Sequence, residues 1–224
     1  MIAIEQIIRS QRKTVSLIVT GEGKLVVRAP LHFPKSRIIE LVEQKAGWIE
    51  KRLAIVRSSP SASQQVKLTE GSQLLFLGQR YQLAISDHAS PLLYLDSHFH
   101  LARKAVPAAE KVFTRWYRLQ AANYFGGRSS LLAKQFGFTF RKVKITSART
   151  RWGSCSSTGT LSFTWRLVMA PQAVIDYVII HELVHTVEHN HHKRFWEKVV
   201  SIVPEYKQHI RWLKENGSSL YLGG

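Results

Sequence analysis

The chain has a single cysteine, Cys155, among its 224 residues. No intrachain disulfide can form, and the count fits a reducing interior, so a cytoplasmic location is expected. Acid is also scarce: 15 Asp and Glu stand against 32 Lys and Arg, a net charge of +17. Basic proteins of this kind attract polyanions without any specific purpose, so weak nucleic-acid binding through the basic region is expected. No apolar run approaches the length of a membrane span, which excludes a spanning helix. The stretch from Met1 to Arg9 lacks the charged lead, long apolar block and small-residue cleavage site of a secretory signal. Internal repeats and low-complexity tracts are missing too. With 45% hydrophobic residues the chain can bury a real core, as one domain or two small ones.

What is present is concentrated near the C-terminal end, in Tyr177-Val-Ile-Ile-His181-Glu182-Leu-Val-His185. Residues four apart stack on one helix face, so His181 and His185 can point at one ion. Glu182, in the second position, is placed to take a proton from a water on that ion. Val174, Ile175, Val178, Ile179 and Ile180 make this a mostly buried helix, with Pro171 in its first turn. Unpaired polar groups on such a helix are costly, and a metal site explains them. The pattern points to metal-assisted hydrolysis.

A catalytic zinc usually takes three protein ligands and keeps one position open for water. His191 follows His185 at the spacing of the longer pattern His-Glu-x-x-His-x-x-Gly-x-x-His. Glu188 occupies the glycine position of that pattern, so its characteristic turn is not expected. Asn190 is the residue best able to adopt a left-handed conformation and end the helix, which makes His191 the expected third ligand. Glu188 is its rival, should the helix run on. His189 and His192 are expected to face solvent. Tyr177 lies one turn before His181 and either packs or hydrogen-bonds near the metal. Asp176 is either a partner for a ligand imidazole or a helix-start carboxylate. Cys155, beside Gly153, Ser154 and Ser156, reads as a small buried residue rather than a nucleophile.

The downstream run Asn190-His191-His192-Lys-Arg-Phe195-Trp196, with Pro204-Glu-Tyr206 and Trp212, extends the pattern. Upstream stand Arg151-Trp152-Gly153-Ser154-Cys155-Ser156, Leu161-Ser-Phe-Thr-Trp165-Arg166-Leu167 and Ala170-Pro171. Together these resemble the YgjP-like metallopeptidase-domain family, densely over residues 141–216 and more loosely elsewhere. Thr164 stands where relatives often carry asparagine, which bears on any role for a side-chain amide there. The resemblance implies His181, His185 and His191 as zinc ligands and Glu182 as general base. It also implies an α+β fold: a β-rich N-terminal region with one helix, then a minimal zincin-like arrangement of helix, short sheet, metal-binding helix and C-terminal helices. Domain bounds are expected at 1–102 and 103–224. Peptide or protein is the first substrate class implied. Some members are assigned as nucleotide pyrophosphatases acting on uridine triphosphate, which would bring Mg2+ or Mn2+ in place of zinc.

The residues themselves leave three readings open: a zinc metallopeptidase, a nucleoside triphosphate pyrophosphatase, and a nucleic-acid-binding protein with a structural zinc. Three histidines suit magnesium poorly. The third reading lacks aromatic-rich recognition motifs and the four closed ligands of a structural zinc. From Arg103 to Arg151 there are twelve Lys or Arg against one acid, Glu110. Arg141 to Thr146 alternates basic with apolar, a strand with one cationic face. Arg149 and Arg151 extend that face, either as solvated charges or as guanidiniums that recognise an anionic substrate.

Short strands are expected at 2–8, 14–20 and 24–29, with a turn at Gly21 to Gly23, and again at 73–77, 81–85, 92–95 and 99–101. One helix is expected from Ser36 to Arg57 with Trp48 in its core face, then a polar stretch over 58–63. A second helix runs from Pro107 to Phe125, with Gly126-Gly127 interrupting it before Phe136. A strand is expected from Thr160 to Leu167, at the cleft edge, with helices near 192–202 and 205–215 closing the chain.

Overall fold

The computed structural model describes residues 2–20, 23–58, 68–87 and 90–222. The turn residues Gly21 and Glu22 and the polar stretch over 59–63 lie outside them. The fold is α+β, with a β-rich N-terminal part, and it forms two compact units, Met1–Lys67 and Leu68–Gly224.

In the first unit, β1 (Ile4–Ser10), β2 (Ser16–Val19) and β3 (Leu25–Pro30) form a sheet in the order β1-β3-β2. β3 is central because its alternation is cleanest: Leu25, Val27 and Ala29 are buried on one face. They pack with Ile38, Val42 and Ile49 from α1 (Lys35–Gln44) and α2 (Ala46–Ser58). The single helix expected here is therefore two, parted at Lys45. The i→i−4 bonds from Lys45 to Leu41 and from Ile49 to Lys45 persist, so the break is a local loosening beside Gly47. Trp48 falls outside the core at 47% exposed.

The second unit begins with β4 (Gln73–Phe76), β5 (Gln79–Ser86), β6 (Leu93–Leu95) and β7 (Phe99–Ala102), ordered β4-β5-β7-β6. These strands, expected to belong with the N-terminal region, contribute Leu74, Leu83, Leu93, Phe99 and Leu101 to the same core as the metal-motif helix. The β4–β5 turn docks by backbone: Leu77 and Gly78 N–H groups donate to the Val168 and Met169 carbonyls. Gly78 has φ 81°, and a Cβ there would meet Pro171 Cα at 2.7 Å. The turn thereby seats the start of the metal-motif helix.

α3 (Ala109–Phe136) runs unbroken through Gly126 and Gly127, contrary to the interruption expected there. Its buried stripe recurs every four residues as Phe113, Tyr117, Ala121, Phe125, Ser129 and Ala133. Burial of that stripe outweighs the ~1 kcal/mol each glycine costs a helix. Leu119 lies off that stripe and is 58% exposed. Gly137, at φ 72°, ends the helix with a left-handed cap.

β8 (Lys142–Thr146), β9 (Gly153–Cys155) and β10 (Thr160–Thr164) form a third sheet, ordered β8-β10-β9. β10 pairs in parallel with β8 and antiparallel with β9, so it is the central strand and not the cleft edge expected from the sequence. It stops at Thr164, and a buried 3-10 turn, Trp165–Met169, leads to α4 (Gln172–Val184). α5 (Lys193–Ile202) and α6 (Tyr206–Asn216) follow and both pack on α4. Among the described residues no helix is long and apolar enough to cross a membrane.

Candidate metal centre

α4 carries the His-Glu-x-x-His motif on its last turn. Val174, Ile175, Val178, Ile179, Leu183 and Val184 bury it on nearly every side. The helix ends at Val184, with His185 as its C-cap, and a turn follows at once. The expected stop at Asn190 is therefore six residues late, and Asn190 is not left-handed: Leu77 is the one non-glycine residue with positive φ among the described residues. Because the helix stops early, Glu188 does not continue its face. Its backbone carbonyl lies 3.1 Å from His185 Nδ1, the geometry of an N–H···O hydrogen bond.

That bond makes His185 Nδ1 the donor and leaves His185 Nε2 with a lone pair. His185 Nε2 is 3.1 Å from His191 Nε2, and His191 Nε2 is 3.0 Å from His181 Nε2. Burial first, then the neighbouring imidazoles, push His181 down to about 3. Burial chiefly lowers His185 as well. Both rings are neutral at neutral pH, so lone pairs converge with nothing cationic between them. Nitrogens around a tetrahedral zinc, each about 2.0–2.1 Å from the ion, stand roughly 3.3 Å apart. The spacing and the donor chemistry both fit a divalent ion of that kind, and the three rings form a group able to hold one.

Phe195, at the start of α5, is fully buried and touches all three imidazoles, with ring centroids at 4.8, 4.5 and 4.6 Å from His181, His185 and His191. Trp196 adds a second contact to His181 at 5.9 Å. His181 Nδ1 is buried with no hydrogen-bond partner, and no described residue accounts for it. His189 and His192 are exposed, as expected.

Glu182 is 5% exposed and faces β9. A Cβ on Gly153 would lie 2.6 Å from Glu182 Oε1, so only glycine leaves room for the carboxylate. Ser156 and Thr164 N–H groups donate to the Thr160 and Trp152 carbonyls, which marks 152, 154 and 156 as the residues bonded to β10. By alternation, Gly153 and Cys155 present their amides on the outer edge of β9. The Cys155 amide reaches Glu182 there. Burial pushes the Glu182 carboxyl up to about 7, against the pull of Arg151 and that amide. Cys155 itself has its thiol raised by burial and by the Glu182 charge, the reverse of what a nucleophile needs.

Of the other candidates, Arg151 is close enough for its charge to act on Glu182. Tyr177 packs edge-on to His181 at 5.9 Å and stacks with His209 at 5.8 Å. Burial chiefly pushes its hydroxyl up to about 12. Arg149 is elsewhere, with its guanidinium 5.9 Å from the Tyr221 ring centroid. Asp176 is not a partner of an imidazole. It accepts two hydrogen bonds from Arg128 of α3, at 2.7 and 2.6 Å. Gly153 and Phe195 were not singled out as site residues, although both stand in the motifs already quoted. A glycine two residues after an arginine, at the start of a short strand, was the available signal.

A buried helix with two histidines and a carboxylate, a third imidazole from the following turn, and a short sheet against the carboxylate make up the site of a metal-dependent hydrolase. A family model described as YgjP-like, metallopeptidase domain, matches residues 13–216, and the chain belongs to that family. No curated protein matches it in sequence. Among solved structures, the crystal structure of the metallopeptidase zymogen of Pyrococcus abyssi abylysin is similar at 19% identity, over 41% of this chain and 93% of that one. Its TM-score is 0.38, a likeness too slight to carry argument.

Proposed function

We propose that the protein is a zinc-dependent metallopeptidase, with His181, His185 and His191 holding the ion and Glu182 acting as general base. The convergence of three imidazoles beside the buried Glu182 carboxylate carries this reading. All-nitrogen donors favour zinc over magnesium, which prefers oxygen. A zinc ion held there would supply Lewis-acid activation of a water and of the substrate carbonyl. Glu182 takes the proton of the attacking water and passes it to the leaving nitrogen as the carbon–nitrogen bond breaks. The Cys155 amide and the gap at Gly153 orient that carboxylate for the transfer. The outer edge of β9 is the strand on which an extended peptide pairs by backbone hydrogen bonds. Arg151 and Tyr177 flank the reacting groups, Arg151 through its charge and Tyr177 through its hydroxyl.

The test is a substrate panel with metal analysis. Purified protein is expected to hold about one zinc per chain and to cleave an unstructured protein. Glu182→Gln should lower the rate by roughly 10²–10⁴-fold with zinc retained. Turnover in that variant at the parent rate refutes the base assignment. Hydrolysis of nucleoside triphosphates with magnesium, and none of peptides, replaces the peptidase reading altogether.

A further inference from the structure

Three guanidiniums gather around the loop between β8 and β9. Arg166, just after β10, is 8% exposed. Its guanidinium carbon lies 4.4 Å from the Trp165 ring centroid and 4.9 Å from that of Tyr221. Nη1 donates to the Ser147 carbonyl at 3.3 Å, while Nε is buried with no partner. Arg118 of α3 donates to Ser147 Oγ at 2.8 Å. Arg149 leans on Tyr221 from the same loop, whose hydroxyl donates to the Arg149 carbonyl at 3.1 Å. Among the described residues no carboxylate lies within ion-pair distance of Arg118, Arg149 or Arg166.

An arginine cannot escape burial by losing its proton. Contacts with two aromatic faces and one neutral carbonyl offset only part of the cost of desolvating the ion. Arg149 works against it, since its charge opposes that of Arg166. A simple brace for the loop has no need of three positive charges without a counter-charge. Elsewhere on this chain a half-buried arginine, Arg128, has a carboxylate partner.

We infer that Arg118, Arg149 and Arg166 form an oxyanion-binding site on the Ser147–Arg149 loop, one that takes a carboxylate or a phosphate group. Planar guanidinium forks match both anions through paired N–H donors. The site stands apart from the hydrolase reading and holds even if no peptide is cleaved. Two residues further along, the same loop presents Arg151 to Glu182, so an anion bound here sits on the segment that borders the metal centre.

The test uses the full chain, with inorganic phosphate and glutarate as probes and chloride at matched ionic strength as the reference. Tryptophan fluorescence reports binding, because Trp165 lies against Arg166. A saturable response beyond that of chloride is expected. Arg118→Gln and Arg149→Gln, both at exposed positions that keep folding intact, should each weaken it about tenfold. Lys144→Gln, an exposed cation on β8, should leave it unchanged. Saturation by phosphate alone assigns a phosphate ligand, by glutarate alone a carboxylate ligand, and by both the shared oxyanion chemistry. Responses no larger than with chloride, arginine variants that bind as tightly as the parent, or equal weakening by Lys144→Gln overturn the proposal.

Discussion

The imidazoles of His181 and His185 in the metal centre and the guanidinium of Arg166 in the arginine cluster face the same pressure, removal from water, and answer it in opposite ways. Histidine sheds its proton: burial holds His181 down to about 3 and lowers His185 too. The outcome is a cluster rich in lone pairs, with a net attraction for a cation. Arginine has no such exit, so the second cluster stays rich in donors and poor in acceptors. Side-chain chemistry decides the sign of the missing partner, although both clusters sit in one folding unit of one basic chain.

The comparison breaks most forcefully at Phe195. This ring touches all three imidazoles and no guanidinium of the second cluster. Phe195→Ala should cost about 3–5 kcal/mol of stability, measured by urea unfolding. Zinc affinity should fall roughly 10–100-fold as the rings lose the surface that orients them. Phosphate binding by the folded variant should not change. Unaltered zinc affinity would show that α4 and the turn after it orient the rings unaided.

Gly153→Ala separates metal holding from proton transfer. The new Cβ would stand 2.6 Å from Glu182 Oε1 and 2.7 Å from its Cγ, so the carboxylate must move. Hydrolysis is expected to fall about a hundredfold, the order of loss for a displaced catalytic group. Zinc stoichiometry should hold near one, because the contacts described for the imidazoles come from one another, the Glu188 carbonyl and the Phe195 ring and not from β9. A rate within twofold of the parent would mean that β9 does not position the base.

How far these clusters were legible in the sequence follows from their sequence separation. His181, Glu182 and His185 lie within one helical turn or so, and the spacing alone brings them together. His191 was found by its spacing too, but the reason offered for its return was incorrect, since the chain turns at His185 and not at Asn190. The arginine cluster joins residues 118, 149, 166 and 221, drawn from a helix, a loop, a turn and the C-terminal segment, and no local pattern announces it. Arg149 was read together with Arg151, either as a solvated charge or as a guanidinium that recognises an anionic substrate. Its side chain instead follows the alternation of the loop toward Tyr221. β10 was expected at the cleft edge and is central. Its parallel pairing with β8 is a non-local contact that a strand pattern does not encode. Gly126 and Gly127 read as a break for the same reason: their cost is local, and the stripe that outweighs it is set by the core.

The smallest expected effect sharpens the contrast between a paired and an unpaired arginine. Arg128 and Asp176 join α3 to α4 through a bidentate pair whose side chains are 26% and 19% exposed. Asp176→Asn leaves the guanidinium half-buried without its counter-charge, the condition in which Arg166 already stands. The loss should be about 1–3 kcal/mol, between the values for exposed and buried pairs, read from urea unfolding. Replacing both partners, as Arg128→Met with Asp176→Leu, should recover much of it, because no uncompensated charge is left behind. The same Asp176→Asn protein should also gain stability from phosphate at matched ionic strength, if an orphaned guanidinium is what recruits an anion. A loss below about 0.5 kcal/mol, with no response to phosphate, would mean that helix packing alone holds α3 to α4 and that the missing acid beside Arg166 has little energetic weight.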